Sequence, residues 1–258
     1  MASLDKKTIF ITGAGSGIGA ATARLFAAKG WRVALADRDG EAAHHLARDL
    51  DGEAQAFSVD VLDRDAMRRA ISDFCGEGGG LTALFNSAGL LDMHPFEQAS
   101  LDRLDAMVDV NIKGVVNAIM QALPFLKAAD GAHVVTMSSA AAIHGVPDLA
   151  VYSASKFAVR ALTEALNIEL EKAGIWVCDV MVGYVDTPML SRADTQAKSV
   201  GLAGVHVTPD MVAQTVFDAV SGRRVHWFVR DEDREASAFF DATPMEERRE
   251  LMRPSTGY

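Results

Sequence analysis

The chain has 258 residues, with 25 Lys and Arg against 35 Asp and Glu, and a formal net charge of −10. This excess of acid, with no basic stripe to offset it, argues against a nucleic-acid surface. With 49% hydrophobic and 23% charged residues the composition is that of an ordinary globular protein, and a chain of this length can bury roughly three-quarters of its unfolded surface with no disulfide or metal staple. The arginine pairs Arg68-Arg69, Arg223-Arg224 and Arg248-Arg249 read as solvated faces or element ends. Cys75 and Cys178 have neither CxxC nor metal-ligand spacing, so two reduced thiols and no metal site are expected. The first residues carry charges at Asp5, Lys6 and Lys7 before a short apolar run, which is no signal-peptide core. No apolar run approaches the roughly 20 residues of a membrane span. A cytoplasmic protein is expected.

In chain order, Thr8–Thr12 reads as a strand, Ile18–Lys29 as a helix closed by Gly30, Arg32–Asp37 as a second strand and Glu41–Leu50 as a helix. Ala54–Val59 is a third strand, Asp63–Phe74 a helix, Gly76–Gly80 a loop and Ala83–Asn86 a fourth strand. Ser100–Ala129 is helical, with breaks expected near Asn111 and Pro124. His133–Met137, Trp176–Met181 and Val225–Val229 complete the strands, separated by helices at Tyr152–Lys172 and Val212–Val220. Strand–helix alternation at this period, with apolar runs such as VALA and HVVTM, predicts a doubly wound parallel sheet of about seven strands, a Rossmann fold with helices on both faces. No repeat or composition break divides the chain, so 1–258 reads as one domain, with a substrate loop near 187–208 and a charged tail near 230–258.

The first strand runs into Thr12-Gly13-Ala14-Gly15-Ser16-Gly17-Ile18-Gly19, and a helix comes next. Glycines there let the backbone turn tightly and approach a pyrophosphate at the helix N-terminus; a tight turn with no ligand is the plainer alternative. Asp37 ends the second strand, 24 residues after Gly13. An acid at that place accepts from the ribose hydroxyls of NAD(H) and repels the 2′-phosphate of NADP(H). Arg38 next to it leaves NADP(H) open. Tyr152 and Lys156 are four apart on one helical face, where an ammonium is expected to favour the phenolate and bring the tyrosine nearer to working pH. Ser138-Ser139 ends the fifth strand, at the sheet edge where open α/β sheets place their ligands.

Together these motifs resemble the short-chain dehydrogenase/reductase family over Lys7 to about Val220. TGAGSGIG matches its TGxxxGxG cofactor loop, with Gly13, Ser16, Gly17, Ile18 and Gly19 as contacts. Asp60 and Val61 match the adenine-contacting pair. Asn86-Ser87-Ala88-Gly89 matches its NNAG motif, with Ser87 replacing the second Asn and with Asn86, Ala88 and Gly89 as expected contacts. Asn111 matches the helix-kink asparagine that sustains a water relay, Ser139 the serine that orients the substrate oxygen, and Tyr152 with Lys156 the YxxxK acid/base pair. Gly183, Val185 and Thr187 match the nicotinamide segment, although Val182 replaces the usual proline and is expected to loosen that turn.

The resemblance implies an NAD(P)-dependent alcohol dehydrogenase or ketoreductase acting on a small-molecule substrate. In the family the helices of Asn111 and Tyr152 form a dimer interface; Ala118, Ala122, Ala158, Ala161 and Ala165 would permit close packing there, in a homodimer or homotetramer. The charged tail lacks the family's common glycine-rich ending, which argues against a tetramer interface built from the usual tail. The pocket is expected around Leu90, Leu91, Met93, His94, Phe96, the segment Ala140–Leu149 and the loop Tyr184–Val205, with Arg192 its sole arginine and a moderately hydrophobic secondary alcohol or ketone as substrate. Met181, Met189 and Met211 read as packing residues. Rival readings are an epimerase or dehydratase on the same fold, which usually alters the Ser–Tyr–Lys set, and a non-catalytic dinucleotide sensor, which typically loses the tyrosine.

Overall fold

The computed structural model describes residues 6–50 and 53–257; residues 1–5, 51–52 and Tyr258, parts of the expected domain and tail, lie outside them. Strands β1 (Thr8–Thr12), β2 (Arg32–Asp37), β3 (Ala54–Ser58), β4 (Ala83–Asn86), β5 (His133–Met137), β6 (Trp176–Met181) and β7 (His226–Phe228) form a seven-stranded sheet in the order β3-β2-β1-β4-β5-β6-β7. Every neighbouring pair is parallel. The expected Rossmann-like sheet is therefore present.

Parallel strands need crossovers, and the helices supply them on both faces. Helix α1 (Gly17–Ala28) packs against α9 (Pro209–Ala219) on one face. Helices α3 (Arg64–Cys75) and α5 (Val115–Lys127) pack together on the other. Alternation along β1 divides the core: Ile9 and Ile11 join Phe26, Leu35 and Val212 on the first face, while Phe10 joins Ile71, Leu84 and Val134 on the second. All of these side chains are fully buried, and each contributes about 1.5–3 kcal/mol relative to exposure. The remaining crossover on the edge strands is α2 (Gly40–Asp49), whose N-terminus is capped by the Asp39 carboxylate accepting from Ala42 N–H.

The long helical stretch breaks once. Helix α4 (Leu101–Val108) passes into a π-turn at Asp109–Gly114 before α5 begins. The expected break at Pro124 is absent, and Pro124 sits inside α5. Its ring gives no hydrogen to the Met120 carbonyl, but both residues are exposed, where solvent can serve that carbonyl. Ala118 and Ala122 point inward and are fully buried on the sheet, so they form no part of an external face.

Helix α6 (Ala150–Glu169) connects β5 to β6 and packs against β6. The segment read as a loop at 187–208 holds two short helices, α7 (Pro188–Ser191) and α8 (Lys198–Ala203). Thr187-Pro188 and Thr208-Pro209 are N-cap and first-turn pairs that announce such starts. The tail folds as α10 (Asp231–Ala242) and α11 (Arg248–Thr256). None of the described helices is long and apolar enough to cross a membrane.

One charged network is built into the sheet. Asp179 on β6 is fully buried and pairs in register with His226 on β7. His226 Nδ1 lies 2.8 Å from Asp179 Oδ1, and its Nε2 lies 3.3 Å from Glu164 on α6. Arg160 holds Glu164 at 3.0 Å and reaches Asp241 of α10 at 3.4 Å. Burial pulls the His226 imidazole down, but the bond and charge of Asp179, with the charge of Glu164, outweigh it and raise its pKa. A raised folded-state pKa stabilises the fold below the ordinary histidine value of 6.5, and that stabilisation is lost as pH rises through the folded value. Thermal melts across neutral to mildly alkaline pH should therefore show wild-type stability falling relative to His226→Gln. A constant difference between the two proteins would contradict the assignment.

Candidate active site

The chain leaves β1 toward β2 on one side and later returns to β4 on the other, so the carboxyl ends of β1 and β4 flank a crevice. Two cavities open there, of about 300 and 240 Å³, and they share Ile18, Ser87, Gly89, Leu90, Thr187 and Met189. They form one continuous cleft.

The smaller cavity is lined by the glycine loop, Asp37, Arg38, Asp60, Val61 and the Ser87–Gly89 turn. Its tightness is a backbone property. A Cβ on Gly13, which has φ of +66°, would lie 2.7 Å from Ala88 Cα, and one on Gly19 would lie 2.1 Å from the Gly13 carbonyl oxygen. Ser16, at the N-cap of α1, makes no side-chain cap, and the first turn has no acid. The first-turn N–H groups of α1 thus open beside a glycine cradle, the donor set an anionic phosphate requires. Asp37 is held at the rim: Oδ2 accepts from Gly15 N–H at 2.8 Å and Oδ1 from Asp39 N–H at 2.9 Å. Each oxygen keeps a lone pair for a further donor. On this geometry the residues fit a dinucleotide.

Two expected contacts take other places. Gly19 lies under the cradle, where it lets α1 approach Gly13. Asn86 is buried beneath the loop, with Nδ2 donating to Thr136 at 3.2 Å and Oδ1 without a protein partner among the described residues.

The larger cavity gathers Ser139, Tyr152, Lys156, Gly183, Val185 and Thr187. Ser139 stands just past β5, and its Oγ accepts from Ala141 N–H at 3.1 Å. Tyr152 and Lys156 come from the first two turns of α6, with Lys156 Nζ 5.5 Å from the tyrosine ring centroid and donating to the Met137 carbonyl at 2.8 Å. Asn111 stands in the π-turn, where its Nδ2 donates to the Leu90 carbonyl at 3.0 Å and to Ser155 Oγ at 3.1 Å, while Oδ1 accepts from Leu90 N–H at 2.8 Å. Its side chain is a clamp between the β4 loop and α6. Inserting one residue into a helix in this way re-aims the next turn, and π-turns gather at functional sites.

The titration of the pair differs from expectation. Burial pushes the Tyr152 phenol up to about 12, against the opposing pull of a hydrogen bond with Ser139. Burial pulls Lys156 down to about 8, with the Asp179 charge resisting. In this cavity desolvation, and not the lysine charge, sets the phenol. The Val182 turn is also firm. Val182 is buried, and its carbonyl accepts from Ala140 N–H at 2.9 Å, which anchors the turn without proline.

Beyond the reacting groups Leu90, Leu91, Val146, Leu149, Met189 and Leu190 give the wall its apolar part, and His144, Tyr184, Ser199 and His206 are among its polar members. Met93 does not reach the cavity but is buried behind its wall, in the cluster that holds Leu149 and Leu190, and His94 and Phe96 face a separate recess. Of the methionines, Met181 is buried, whereas Met189 borders the cleft and Met211 is 41% exposed. His144 lines the cavity and packs on Phe240 of α10 with ring centroids 4.7 Å apart. Arg192 is not at the wall; the arginine there is Arg230, from the tail, with Asp233 and Thr256. The sequence signal for this pair is an Arg and an Asp three apart at a helix start, which meets the cavity only because β7 ends beside it. No group of three or more His, Cys, Asp or Glu side chains with metal-holding geometry occurs among the described residues.

The pattern that describes the short chain dehydrogenase family matches residues 7–198. An uncharacterised oxidoreductase of Listeria monocytogenes is 33% identical over 227 residues, covering 84% of this chain and 92% of its own. The solved 3-ketoacyl-(acyl-carrier-protein) reductase from Brucella melitensis, complexed with NADH, superposes with a TM-score of 0.77 at 27% identity, over 88% of this chain and 98% of that one. A dehydrogenase/reductase from Sinorhizobium meliloti gives a TM-score of 0.76 at 32% identity, over 88% and 94%. By sequence pattern, relatives and fold alike, the chain belongs to the short-chain dehydrogenase family of oxidoreductases.

Proposed function

We propose that the protein interconverts a ketone and a secondary alcohol using NAD(H), with Tyr152 as general acid/base. The observation that carries this reading is the convergence of Ser139, Tyr152 and Lys156 in a cavity continuous with the glycine cradle. The cofactor supplies or accepts the hydride when bound. Gly13, Ser16, Gly17 and Ile18 would hold its phosphates, Asp37 its adenosine ribose, Asp60 and Val61 its adenine, and Gly183, Val185 and Thr187 the nicotinamide end.

The protein's own work is positioning and proton supply. A phenol held at about 12 is protonated at neutral pH, so Tyr152 is poised to donate to the oxygen of a ketone as charge builds on it. Ser139 presents its hydroxyl to the same oxygen and fixes the substrate's orientation. Lys156, near 8 and therefore largely charged at neutral pH, favours the phenolate left after transfer. Asn111 holds α6 and the β4 loop in register beneath the pair. An intact tyrosine and lysine at the cavity favour this chemistry over a non-catalytic sensor.

We also propose a homo-oligomer. Val116 and Met120 on α5 are 37% and 58% exposed, and Phe157 and Ile168 on α6 are 41% and 75% exposed. Ala161 and Ala165 lie open between the latter two. Apolar side chains at helical spacing on two helix faces are the composition of an interface core. Light scattering at micromolar concentration should return a multiple of the chain mass, and Met120→Glu with Ile168→Glu should reduce it. A monomeric wild-type protein contradicts the reading.

Tyr152→Phe removes the transferable proton and keeps the ring. General acid–base catalysis contributes about 10²–10⁴-fold, so kcat should fall by that order while NADH binding, read by fluorescence, persists. A variant that keeps more than about a tenth of wild-type kcat contradicts the assigned role.

The carboxylate of Asp37 would meet a 2′-phosphate with a repulsion of about 1–4 kcal/mol at about 4 Å, about one to three decades in selectivity. Arg38 borders the same cavity but is solvent-screened, and its attraction is the smaller term. Wild-type kcat/KM should therefore favour NAD(H), and Asp37→Ser should shift preference toward NADP(H). Equal or better use of NADP(H) by the unmutated protein would show that Arg38 controls the site.

A further inference from the structure

The larger cavity contains a charged pair that the chemistry at Tyr152 does not use. Arg230 lies just past β7, at the N-cap of α10, and Asp233 lies in the first turn of that helix. The guanidinium meets the carboxylate edge-on, with Nη2 donating to Oδ1 at 2.7 Å and Nε to Oδ2 at 3.2 Å. Both residues line the cavity with Ser139 and Tyr152. Arg230 Nη2 lies 3.8 Å from where a Cβ on Gly183 would stand, so the guanidinium extends over the turn that closes β6. The side chains are 29% and 10% exposed.

A local tether for the start of α10 is the plain reading of an Arg–Asp pair three residues apart. Such a tether does not require the pair to face a cavity. Holding two charges mostly out of water at a cavity wall carries a desolvation cost that an apolar pair of similar volume avoids, so stability alone is a weak reason for it. The wall has other polar side chains, His144, Tyr184, Ser199 and His206 among them, but few that carry a fixed charge. Among its lining residues Lys156 is the other Lys or Arg, and Asp233 is the sole acid.

Two of the five N–H groups of a guanidinium go to Asp233, and the other three have no protein partner among the described residues. Those donors remain for a ligand. Their charge is already balanced by Asp233. A ligand carboxylate would bring a second, uncompensated negative charge beside a buried acid. A neutral hydroxyl or carbonyl oxygen takes the donors with no such conflict, and a hydroxyl can also donate to the carboxylate.

We propose that Arg230, fixed by Asp233, is a specificity-determining residue that binds a neutral oxygen function on the substrate, away from the reacting carbon. The substrate class is then an oxygenated ketone or its alcohol, such as a hydroxyketone, which narrows the moderately hydrophobic secondary alcohol or ketone expected from the sequence. The inference rests on the proposed ketone–alcohol chemistry.

The test compares NADH-dependent reduction of three ketones of one shape: cyclohexanone, 4-hydroxycyclohexanone and 4-oxocyclohexanecarboxylate. Wild-type kcat/KM should favour the hydroxyketone over cyclohexanone by about tenfold or more, the scale of a hydrogen bond to a charged donor, and should rank the carboxylate below the hydroxyketone. The double variant Arg230→Met with Asp233→Leu removes both charges and leaves neither unpaired. It should bring the hydroxyketone-to-cyclohexanone ratio to about one, with activity on cyclohexanone within about threefold of wild type and NADH binding unchanged. Arg230→Gln, which keeps a donor, should retain part of the preference and serves if the double variant does not fold. A wild-type ratio near one, a ratio preserved in both variants, or a preference for the carboxylate overturns the proposal alone. Reduction of none of the three by wild-type protein that binds NADH overturns the ketone–alcohol reading, and the proposal with it.

Discussion

The structure depends on one close approach of backbone to backbone. At the carboxyl end of β1 the chain turns within van der Waals distance of Ala88, and α1 starts against the carbonyl of Gly13. Any side chain at Gly13 or Gly19 would collide with main chain, which cannot move as a flexible side chain can. Ala88 N–H donating to Thr12 Oγ1 at 3.3 Å ties the two strand ends together. This contact fixes the floor of the cleft. It brings the uncapped first turn of α1 beside Asp37 on one side and the β4 loop on the other. The β4 loop in turn is held by Asn111, and Asn111 holds α6 through Ser155. The tyrosine and lysine are thus connected to the glycine turn through a short series of hydrogen bonds.

Most of the frame was legible in the sequence because it is set by local chemistry. A strand buried on both faces is mostly apolar, and β1, β2, β4, β5 and β6 have the bounds expected from their apolar stretches and flanking residues, even with Asp179 inside β6. The glycine spacing, the acid at the end of β2 and the YxxxK pair are likewise short-range patterns. The less legible parts depend on distant neighbours. Pro124 reads as a helix breaker, yet tolerance of it depends on its facing solvent. Ala118 and Ala122 have the small size an interface asks for, and only the sheet beneath them decides that they point inward. The start of α7 at Pro188 and of α9 at Pro209 was available from the Thr-Pro pairs and is missed when only apolar periodicity is used.

The site shows the same division. Which residues line the cleft is set by motif positions, with Gly19 and Asn86 supporting the loop from beneath. The protonation of the pair is not, because it is governed by burial. Proximity of an ammonium suggests a lowered phenol, but the cavity withdraws both groups from water and moves each toward its neutral form. Asp179, on the strand behind, opposes that for the lysine, and the same carboxylate is held by His226. The tail adds a second non-local element. Charged residues at the start of α10 look like a solvated helix face in sequence, and the end of β7 turns Arg230 and Asp233 toward the cavity instead.

On the proposed reading the cleft passes a hydride between a nicotinamide and a carbonyl carbon while Tyr152 supplies the proton. Mass spectrometry of the alcohol formed from a ketone and NADH deuterated at the transferring position of the nicotinamide tests it most directly. One deuterium on the carbinol carbon of the product is the predicted result, with the hydroxyl hydrogen drawn from solvent. A product alcohol without that deuterium, or NADH that binds and is never oxidised by any ketone offered, would contradict the account.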